Sequence, residues 1–245
     1  MSLLRSVKQS IKQVLHAAGI EAHWFHPGTS PLARRMAALH AFDIDLVIDV
    51  GANEGQFAKE LRAGGYSGRI VSFEPLSAAH GRLLQESNTD LAWYVHPRCA
   101  LGDHLGEIEL NISGNSDSSS ILPMLMSHTN AAPESAYVGH ELVPLITLDS
   151  VAQSYLKDAQ APFLKIDTQG YEWHVLDGAI ATLPNVRGIQ IELSLIQLYE
   201  GQRLWRESIE RLESEGFVVW ALEPVFVDPA TGRTLQVDGV FYRRP

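Results

Sequence analysis

The chain has 245 residues, a net charge of −10 at pH 7 and 45% hydrophobic residues. These values predict one α/β domain with extensions and a sizeable core. The acidic balance argues against a nucleic-acid partner, which needs a basic surface, and no apolar run is long enough to span a bilayer. The single cysteine, Cys99, excludes an intramolecular disulfide, and the sequence shows no signal-peptide pattern, so we expect a cytoplasmic protein.

Residues 1–40 are predicted to form a helical extension ahead of the main domain at residues 41–245. Apolar side chains recur at helical spacing through residues 4–18, and Arg5, Lys8 and Lys12 lie elsewhere on the helix. Two interpretations are open. The helix could lie on an anionic membrane surface, peripheral to the inner membrane, or it could pack on its own domain or on the partner protomer of a homodimer.

A short helix is expected at residues 32–41, and a buried strand at residues 45–50 follows it. After that strand come a loop that contains glycines and a helical pattern. Gly51 and Gly55 permit a tight turn and a close approach to a ligand, and Asn53 tolerates left-handed backbone angles. This order of strand, turn and helix is typical of a site for a nucleotide-like cofactor.

Acidic residues indicate which cofactor the turn would bind. Asp49 and Glu54 bracket the loop, where they would repel a pyrophosphate and attract a sulfonium compound that carries an ammonium group. A second strand, at residues 69–74, ends on Glu74, which follows Gly51 by 23 residues. That separation is close to the ~20-residue spacing of an acid that binds a ribose. The pattern predicts S-adenosyl-L-methionine as the cofactor and methyl transfer as the activity.

Strand and helix patterns alternate along the rest of the chain, which predicts a mostly parallel sheet with helices on both faces. The expected strands are residues 92–98, 162–167, 187–193, 217–226 and 238–243, and the expected helices are residues 55–64, 76–87, 148–157, 170–182 and 202–215. The last two strands lack a helix between them and should pair antiparallel. Residues 107–112 and 142–148 predict an added strand pair, and the long segment at 113–139 predicts a lid over the active site.

Two carboxylates are candidates for the catalytic base. The fourth strand of the sheet ends on Asp167, and the fifth brings Glu192 to the same edge, where ligands of open α/β sheets bind. Methyl transfer to oxygen needs a group that aligns the hydroxyl and removes its proton. Asp167 is the first candidate and Glu192 the second. Lys165 lies inside a central strand and needs a partner there, which we predict to be Asp49 or Glu192.

Histidines are alternative proton acceptors near neutral pH. His128 and His140 belong to the predicted lid and could enter the site on closure, although each is more typical of a surface histidine. His174 is expected to pack on the sheet, and Glu172 to stabilise the start of a helix. The spacing of acids and histidines shows no metal-binding motif, so no metal is predicted.

Taken together, the motifs resemble the FkbM family of S-adenosylmethionine-dependent methyltransferases from about residue 40 to the C-terminus. The resemblance is carried by residues 49–57, 73–75, 100–103, 164–172 and 198–201, in the order of the family. It implies a class I methyltransferase fold, which is a Rossmann-like, seven-stranded and mostly parallel sheet with an antiparallel last strand. It also implies O-methylation, usually of a sugar or polyketide hydroxyl.

The resemblance implies roles for individual residues. The loop at residues 49–57 would cradle the methionine part of the cofactor. Glu74 would hold the ribose, while Ala100 and Leu101 would lie near the adenine. Gln169 stands where the family more often has Glu, so a catalytic duty of that Glu would not transfer to this chain. The full set of expected cofactor-binding residues is Asp49, Gly51, Asn53, Gly55, Phe57, Glu74, Pro75, Ala100 and Leu101.

We therefore expect an O-methyltransferase that acts on a hydroxyl of a glycan, a glycolipid or a glycosylated metabolite. Two alternatives are open. A nicotinamide-dependent oxidoreductase is opposed by the acids of the loop and by the lack of a Tyr-x-x-x-Lys pair. A cofactor-binding module without catalysis is compatible with the same motifs, because they do not fix the identity of the base.

Overall fold

The structure is a computed structural model, and it describes residues 13–20 and 25–244. Residues 13–17 of the predicted N-terminal helix are helical, whereas residues 4–12 lie outside the described residues. Within the described ranges, no helix has the length and apolar character needed to cross a membrane. The predicted short helix is α1, Pro31–Ala41, where the Ser30 side chain caps the N-terminus by accepting a hydrogen bond from the Ala33 N–H at 3.3 Å.

The remaining elements follow one another in strand–helix alternation. The first half comprises β1 (Leu46–Val50), α2 (Gln56–Ala63), β2 (Arg69–Phe73), α3 (Ser77–Ser87), β3 (Trp93–Val95), β4 (Ala100–Leu101), β5 (Gly106–Ser113), α4 (Met126–Ala131) and β6 (Tyr137–Ile146). The second half comprises α5 (Leu148–Leu156), β7 (Pro162–Ile166), α6 (Glu172–Asp177), β8 (Gly188–Ser194), α7 (Trp205–Ser214), β9 (Phe217–Val227) and β10 (Thr234–Arg243). Short 3₁₀ turns occur at Pro133–Ser135 and Leu183–Asn185.

Seven strands form the main sheet in the order β3-β2-β1-β7-β8-β10-β9. The first five strands of this order, β3, β2, β1, β7 and β8, pair in parallel. Strand β10 is antiparallel to both of its neighbours. This arrangement is the class I methyltransferase fold, so the predicted fold is confirmed. The strand order reverses between β1 and β7, and in open α/β sheets such a switch point is where ligands bind.

Alternate residues of β1 face opposite layers of the core, as the period of a strand requires. Ile48 belongs to a hydrophobic cluster that includes Val175 of α6 and Leu212 of α7. Val47 belongs to a second cluster, which includes Leu61 of α2. The central strands are therefore covered on both faces, and their polar chemistry is confined to their ends.

The structure departs from the predicted elements mainly at boundaries. The helix expected at 170–182 ends at Asp177, because Gly178 follows in close backbone contact. A Cβ on Gly178 would lie 1.8 Å from the carbonyl oxygen of Gly102. Strand β10 begins at Thr234, four residues before its predicted start, since it continues its pairing along β9. The predicted added pair is present as β5 and β6, which are antiparallel and join β4 in a second sheet.

Candidate active site

One large cavity opens at the carboxyl ends of the central strands. Its volume is about 770 Å³, within the range of small-molecule sites. Its walls include the loop after β1, the end of β2 and the turn after β7, together with residues of β8, β9 and β10. The cavity therefore covers the switch point between β1 and β7, where the sequence predicts a cofactor.

The loop at residues 51–55, called the glycine loop below, follows β1 directly. Gly51 has φ +74°, and a Cβ there would lie 1.8 Å from the carbonyl oxygen of Asp167. Gly51 and Ala52 each donate a backbone hydrogen bond to the carbonyl of Phe73, at 3.1 and 3.0 Å. Gly51 is therefore required by a contact between backbones as well as by its φ, and it joins this loop to the turn after β7.

The predicted left-handed conformation of Asn53 is confirmed, with φ +46°. Its backbone N–H donates to Glu74 Oε2 at 2.7 Å, and the Leu76 N–H donates to Glu74 Oε1 at 2.8 Å. Burial raises the pKa of Glu74 to about 7 in spite of these two bonds. Two backbone donors thus fix the Glu74 carboxylate at the cavity wall, and its remaining lone pairs are available to a ligand.

Lys165 pairs with Asp49, as predicted, and also with Asp167. Its Nζ lies 3.3 Å from Asp49 Oδ1 and 3.4 Å from Asp167 Oδ2, and it donates to the Gly51 carbonyl at 2.9 Å. Burial opposes the charge of Lys165, but the two carboxylates raise its pKa overall, so the ammonium is maintained. Asp49 is fully buried behind the wall, where Ser72 donates to its Oδ2.

The expected cofactor residues divide into two groups. Gly51, Asn53, Phe57, Glu74, Pro75, Ala100 and Leu101 line the cavity. Asp49 and Gly55 do not. Gly55 is confined by packing, since a Cβ there would lie 2.6 Å from the Trp93 ring. Glu54 also lies off the wall, paired with Arg82 at 2.6 Å. In the sequence, Asp49 and Glu54 predicted a positively charged cofactor. The acids that line the cavity are others.

The turn at residues 167–170, called the Asp167 turn below, holds both predicted catalytic carboxylates together. Gln169, at φ +54°, donates through Nε2 to Asp167 Oδ1 at 2.8 Å and to Glu192 Oε2 at 3.0 Å. Gln236 donates to the same Glu192 oxygen at 2.7 Å. Burial and the nearby charges of Asp167, Glu172 and Asp238 raise the pKa of Glu192 well above its usual range. One amide group thus contacts both predicted catalytic carboxyl groups.

Further residues support this turn, and only some of them were predictable from the sequence. The Tyr199 hydroxyl lies 2.8 Å from Gln169 Oε1, which orients the amide toward the carboxylates. Glu172 accepts bonds from the backbone N–H groups of Thr168 and Gly170, at 2.9 and 3.1 Å, so its predicted structural role extends to the turn itself. Burial raises the pKa of Glu172 to about 7. Tyr199 was visible only as part of a family motif.

Three carboxylates lie side by side across β8, β10 and β9, and they are called the carboxylate row below. In strand register, Asp238 is opposite Glu192 on one side and Glu223 on the other. All three line the cavity. Arg34 of α1 forms a salt bridge with Glu223, and Gln190 Nε2 donates to Asp238 Oδ2 at 2.8 Å. Burial, followed by the charge of Asp167, raises the pKa of Asp238 to about 7.

Part of the predicted lid contacts the site. Asn53 Nδ2 donates to Asp117 Oδ1, and Ser120 Oγ donates to the carbonyl of Gln169 at 2.6 Å. Ser116, Asp117, Ser119 and Ile121 line the cavity. The first part of the 113–139 segment therefore spans from the glycine loop to the Asp167 turn.

The three histidines considered in the sequence analysis do not line the cavity. His128 is 3% exposed and packs between Tyr199 and Phe226, with ring centroids 5.2 and 5.1 Å apart, so the surface position expected for it is wrong. Burial lowers the pKa of His128 to about 4. His140 is exposed on β6, with Nε2 3.8 Å from Glu109. His174 stacks on the Tyr171 ring. Across residues 13–20 and 25–244, no group of three acids, histidines or cysteines is arranged to hold a metal ion.

Comparison with known proteins places this geometry among methyltransferases. The model of the methyltransferase FkbM domain family matches residues 49–219. A search of curated protein sequences found no significant match. Several solved structures are similar in fold at low sequence identity, with TM-scores below 0.5.

One such structure is the precorrin-6y C5,15-methyltransferase of Geobacter metallireducens, with 13% identity, 87% of each chain covered and a TM-score of 0.46. Another is an rRNA methylase from Streptococcus thermophilus, with 10% identity, 88% of this chain and 98% of that chain covered and a TM-score of 0.45. A third is fibrillarin from Aeropyrum pernix, solved with natively bound S-adenosyl-L-methionine. It has 10% identity, 84% and 74% coverage and a TM-score of 0.44.

Proposed function

Because this chain belongs to the FkbM family of methyltransferases, we propose that it transfers the methyl group of S-adenosyl-L-methionine to a hydroxyl of a sugar. The sugar would be part of a glycan, a glycolipid or a glycosylated metabolite. One observation carries the proposal. A single cavity holds Glu74 and the glycine loop at one side, and the hydrogen-bonded Asp167, Gln169 and Glu192 at the other. Family membership also favours methyl transfer over the nicotinamide-dependent alternative.

The residues of the cavity fit the cofactor. The wall at Gly51 presents backbone, so a ligand can approach without a side chain in the way. The fixed carboxylate of Glu74 offers acceptor lone pairs to the ribose hydroxyls, and apolar Ala100 and Leu101 offer a surface for the adenine. When bound, the cofactor supplies a methyl group on positively charged sulfur, and an acidic cavity stabilises that charge.

Asp167 is the residue that we assign to remove the hydroxyl proton. Its Oδ2 is 3.4 Å from the Lys165 ammonium and its Oδ1 accepts from Gln169, so two donors orient this carboxyl group at the cavity wall. Burial and neighbouring acids raise the pKa of Glu192 and so favour its protonated form. A protonated Glu192 would donate a hydrogen bond that orients the acceptor. Asp167 as the base and a protonated Glu192 as the hydrogen-bond donor would divide the two roles between neighbouring carboxyl groups.

A hydroxyl-rich acceptor suits the polar part of the cavity. Gln190, Glu192 and Asp238 supply oxygen acceptors and amide donors within one wall. An apolar acceptor would leave such groups without partners, which is unfavourable for buried polar atoms. The 113–121 segment would then close over the acceptor through its bonds to Asn53 and Gln169.

The test is isotope-labelled methyl transfer from S-adenosyl-L-methionine to a panel of sugars, glycolipids and glycosylated metabolites. The expected result is label on a sugar oxygen, located by mass spectrometry and NMR. Matched deoxy sugars, each lacking one hydroxyl, serve as controls for the position. Label on nitrogen or carbon would contradict O-methylation, and calorimetry that detects no binding of S-adenosyl-L-methionine would contradict the whole assignment.

A further inference from the structure

The walls of the cavity carry more acidic than basic side chains. Among the described residues, its walls carry two basic side chains, Arg35 and Lys165. Lys165 is held between Asp49 and Asp167, and Arg35 donates to Glu60 Oε2 at 3.0 Å. Neither cation pairs with the carboxylate row. The acids that line the cavity are Glu60, Glu74, Asp117, Asp167, Glu192, Glu223 and Asp238.

The charge of Asp238, at the centre of the row, is the least directly compensated of the three, because Lys165 and Arg35 act on it only from beyond salt-bridge distance. Like charges that lie opposite each other on neighbouring strands destabilise a sheet. Glu223 has Arg34 as its ionic partner, and Glu192 accepts bonds from Gln169 and Gln236. Asp238 accepts one side-chain bond, from Gln190, and forms no salt bridge within the described part of the chain. A positive group brought by a ligand would therefore gain most beside Asp238.

Gln190 provides a second and independent indication of a ligand. Its side chain lines the cavity and is 3% exposed. Its Oε1 accepts no hydrogen bond from the residues that the structure describes, although its Nε2 donates to Asp238. A buried oxygen without a donor costs free energy, and a ligand N–H or O–H beside Asp238 would satisfy it.

The row is also distant from the end of the cavity that suits the ribose. Strand β10 is four positions from β2 in the sheet, which is roughly 19 Å at the usual strand spacing. Glu74 follows β2, so its carboxylate and that of Asp238 would contact different parts of the bound molecules. The carboxylate row would therefore contact the methyl acceptor and not the ribose of the cofactor.

We propose that Asp238, with Glu223 and Gln190, binds an acceptor that carries a protonated amine beside its hydroxyls, as an amino sugar does. The inference rests on the proposed function and narrows its substrate class. An ammonium group has three donors, enough to contact the Asp238 carboxylate and Gln190 Oε1 together. A phosphorylated or uronic-acid sugar would meet several carboxylates and few cations, so this wall would repel it.

The experiment uses the full chain loaded with S-adenosylhomocysteine and compares four probes by NMR titration at pH 7. The probes are glucosamine, glucose, N-acetylglucosamine and glucuronic acid, which are cationic, neutral, neutral and anionic. Glucosamine should bind at least about tenfold more tightly than either neutral sugar, and glucuronic acid most weakly. In Asp238→Asn, the preference for glucosamine over glucose should fall to about twofold or less. Asp158→Asn changes an exposed acid in the same way and should leave the preference intact.

Equal or tighter binding of glucuronic acid, binding of no probe, or a glucosamine preference that survives in Asp238→Asn would overturn the inference. If the Asp238 variant does not fold, the order of the four probes on the unaltered chain decides alone. Calorimetry of S-adenosylhomocysteine on the unaltered chain separates the two claims. Cofactor binding without an amine preference removes only the inference, whereas absence of cofactor binding removes the proposed function.

Discussion

The glycine loop and the carboxylate row line the same cavity but are built in different ways. The loop is local: Asn53 and Glu74 are 21 residues apart and are joined by a single backbone-to-carboxylate bond. The row takes Glu192, Asp238 and Glu223 from three strands, one of them antiparallel to the others. Backbone shape thus defines one end of the cavity, and strand pairing defines the other. The Asp167 turn joins them, since the Asp167 carbonyl contacts Gly51 and Gln169 contacts Glu192.

The largest expected effect is at that junction. Asp167→Asn should lower the rate of methyl transfer by about 10³-fold, the usual contribution of a general base, because the amide cannot take the hydroxyl proton. Cofactor affinity, measured by calorimetry, should change by less than about threefold. Single-turnover transfer of labelled methyl gives the rate, and Asp158→Asn is the matched surface control. Retained activity in Asp167→Asn would assign the base to another group.

The next effect tests the local end of the comparison. Glu74→Ala should weaken S-adenosyl-L-methionine binding by about 10- to 100-fold, the range for hydrogen bonds to a charged group. The change also leaves the Asn53 and Leu76 N–H groups without their acceptor. Calorimetry measures the affinity, and Glu86→Ala, at an exposed acid of α3, is the control. Unchanged affinity would show that the ribose is held elsewhere.

A third prediction concerns pH and the support of the Asp167 turn. The pKa of Glu172 is raised from 4.5 to about 7 in the folded protein, mainly by burial, so the folded state holds this proton more tightly than the unfolded chain. Stability should therefore fall as pH rises from about 4.5 to 7 and then level off, by on the order of 1–3 kcal/mol from this residue. Glu74 and Asp238 act in the same direction.

Glu172→Gln isolates that contribution. Urea unfolding at pH 5 and pH 8 should show a smaller loss of stability in the variant than in the unaltered chain. Glu213→Gln, at an exposed position on α7, should match the unaltered chain at both values. An equal pH dependence in Glu172→Gln and the unaltered chain would mean that the charge of Glu172 is not suppressed by folding.

The smallest effect is expected where the lid segment contacts the loop. Asp117→Ala removes the acceptor of the Asn53 side chain at the part-exposed edge of the cavity. Cofactor affinity should fall by about two- to fivefold, mainly through faster dissociation, because the bond is single and partly solvated. Stopped-flow displacement measures the rate, and Asp103→Ala, outside this cavity, serves as the control. A loss as large as that of Glu74→Ala would place Asp117 among the main cofactor contacts.

The contrast between the glycine loop and the carboxylate row explains which features of the site were predictable from the sequence. The fold, the left-handed Asn53 and the position of Glu74 at the end of its strand were predictable from local patterns. The pairing of Lys165 was predicted as a choice between Asp49 and Glu192, which only the pairing of β1 with β7 decides. Asp238 and Glu223 were not predictable, because their neighbours depend on how β8, β10 and β9 pair, and the predicted start of the last strand fell at Asp238. A carboxylate at the first position of an apolar strand beside Glu192 was the available signal. His128 was expected at the surface because that is the more common position of a lone histidine, and only its packing between Tyr199 and Phe226 shows otherwise.

The hairpin of β9 and β10 has a consequence for how such enzymes diversify. Two of the three acids in the row belong to this single continuous stretch, and its tip is exposed. Exchange of the hairpin between relatives would replace most of that wall in one recombination event and leave the methyl-donor machinery untouched. Because Gln236 of the same hairpin donates to Glu192, and Phe241 and Tyr242 are buried in the core, such an exchange would succeed only between hairpins that keep these three contacts.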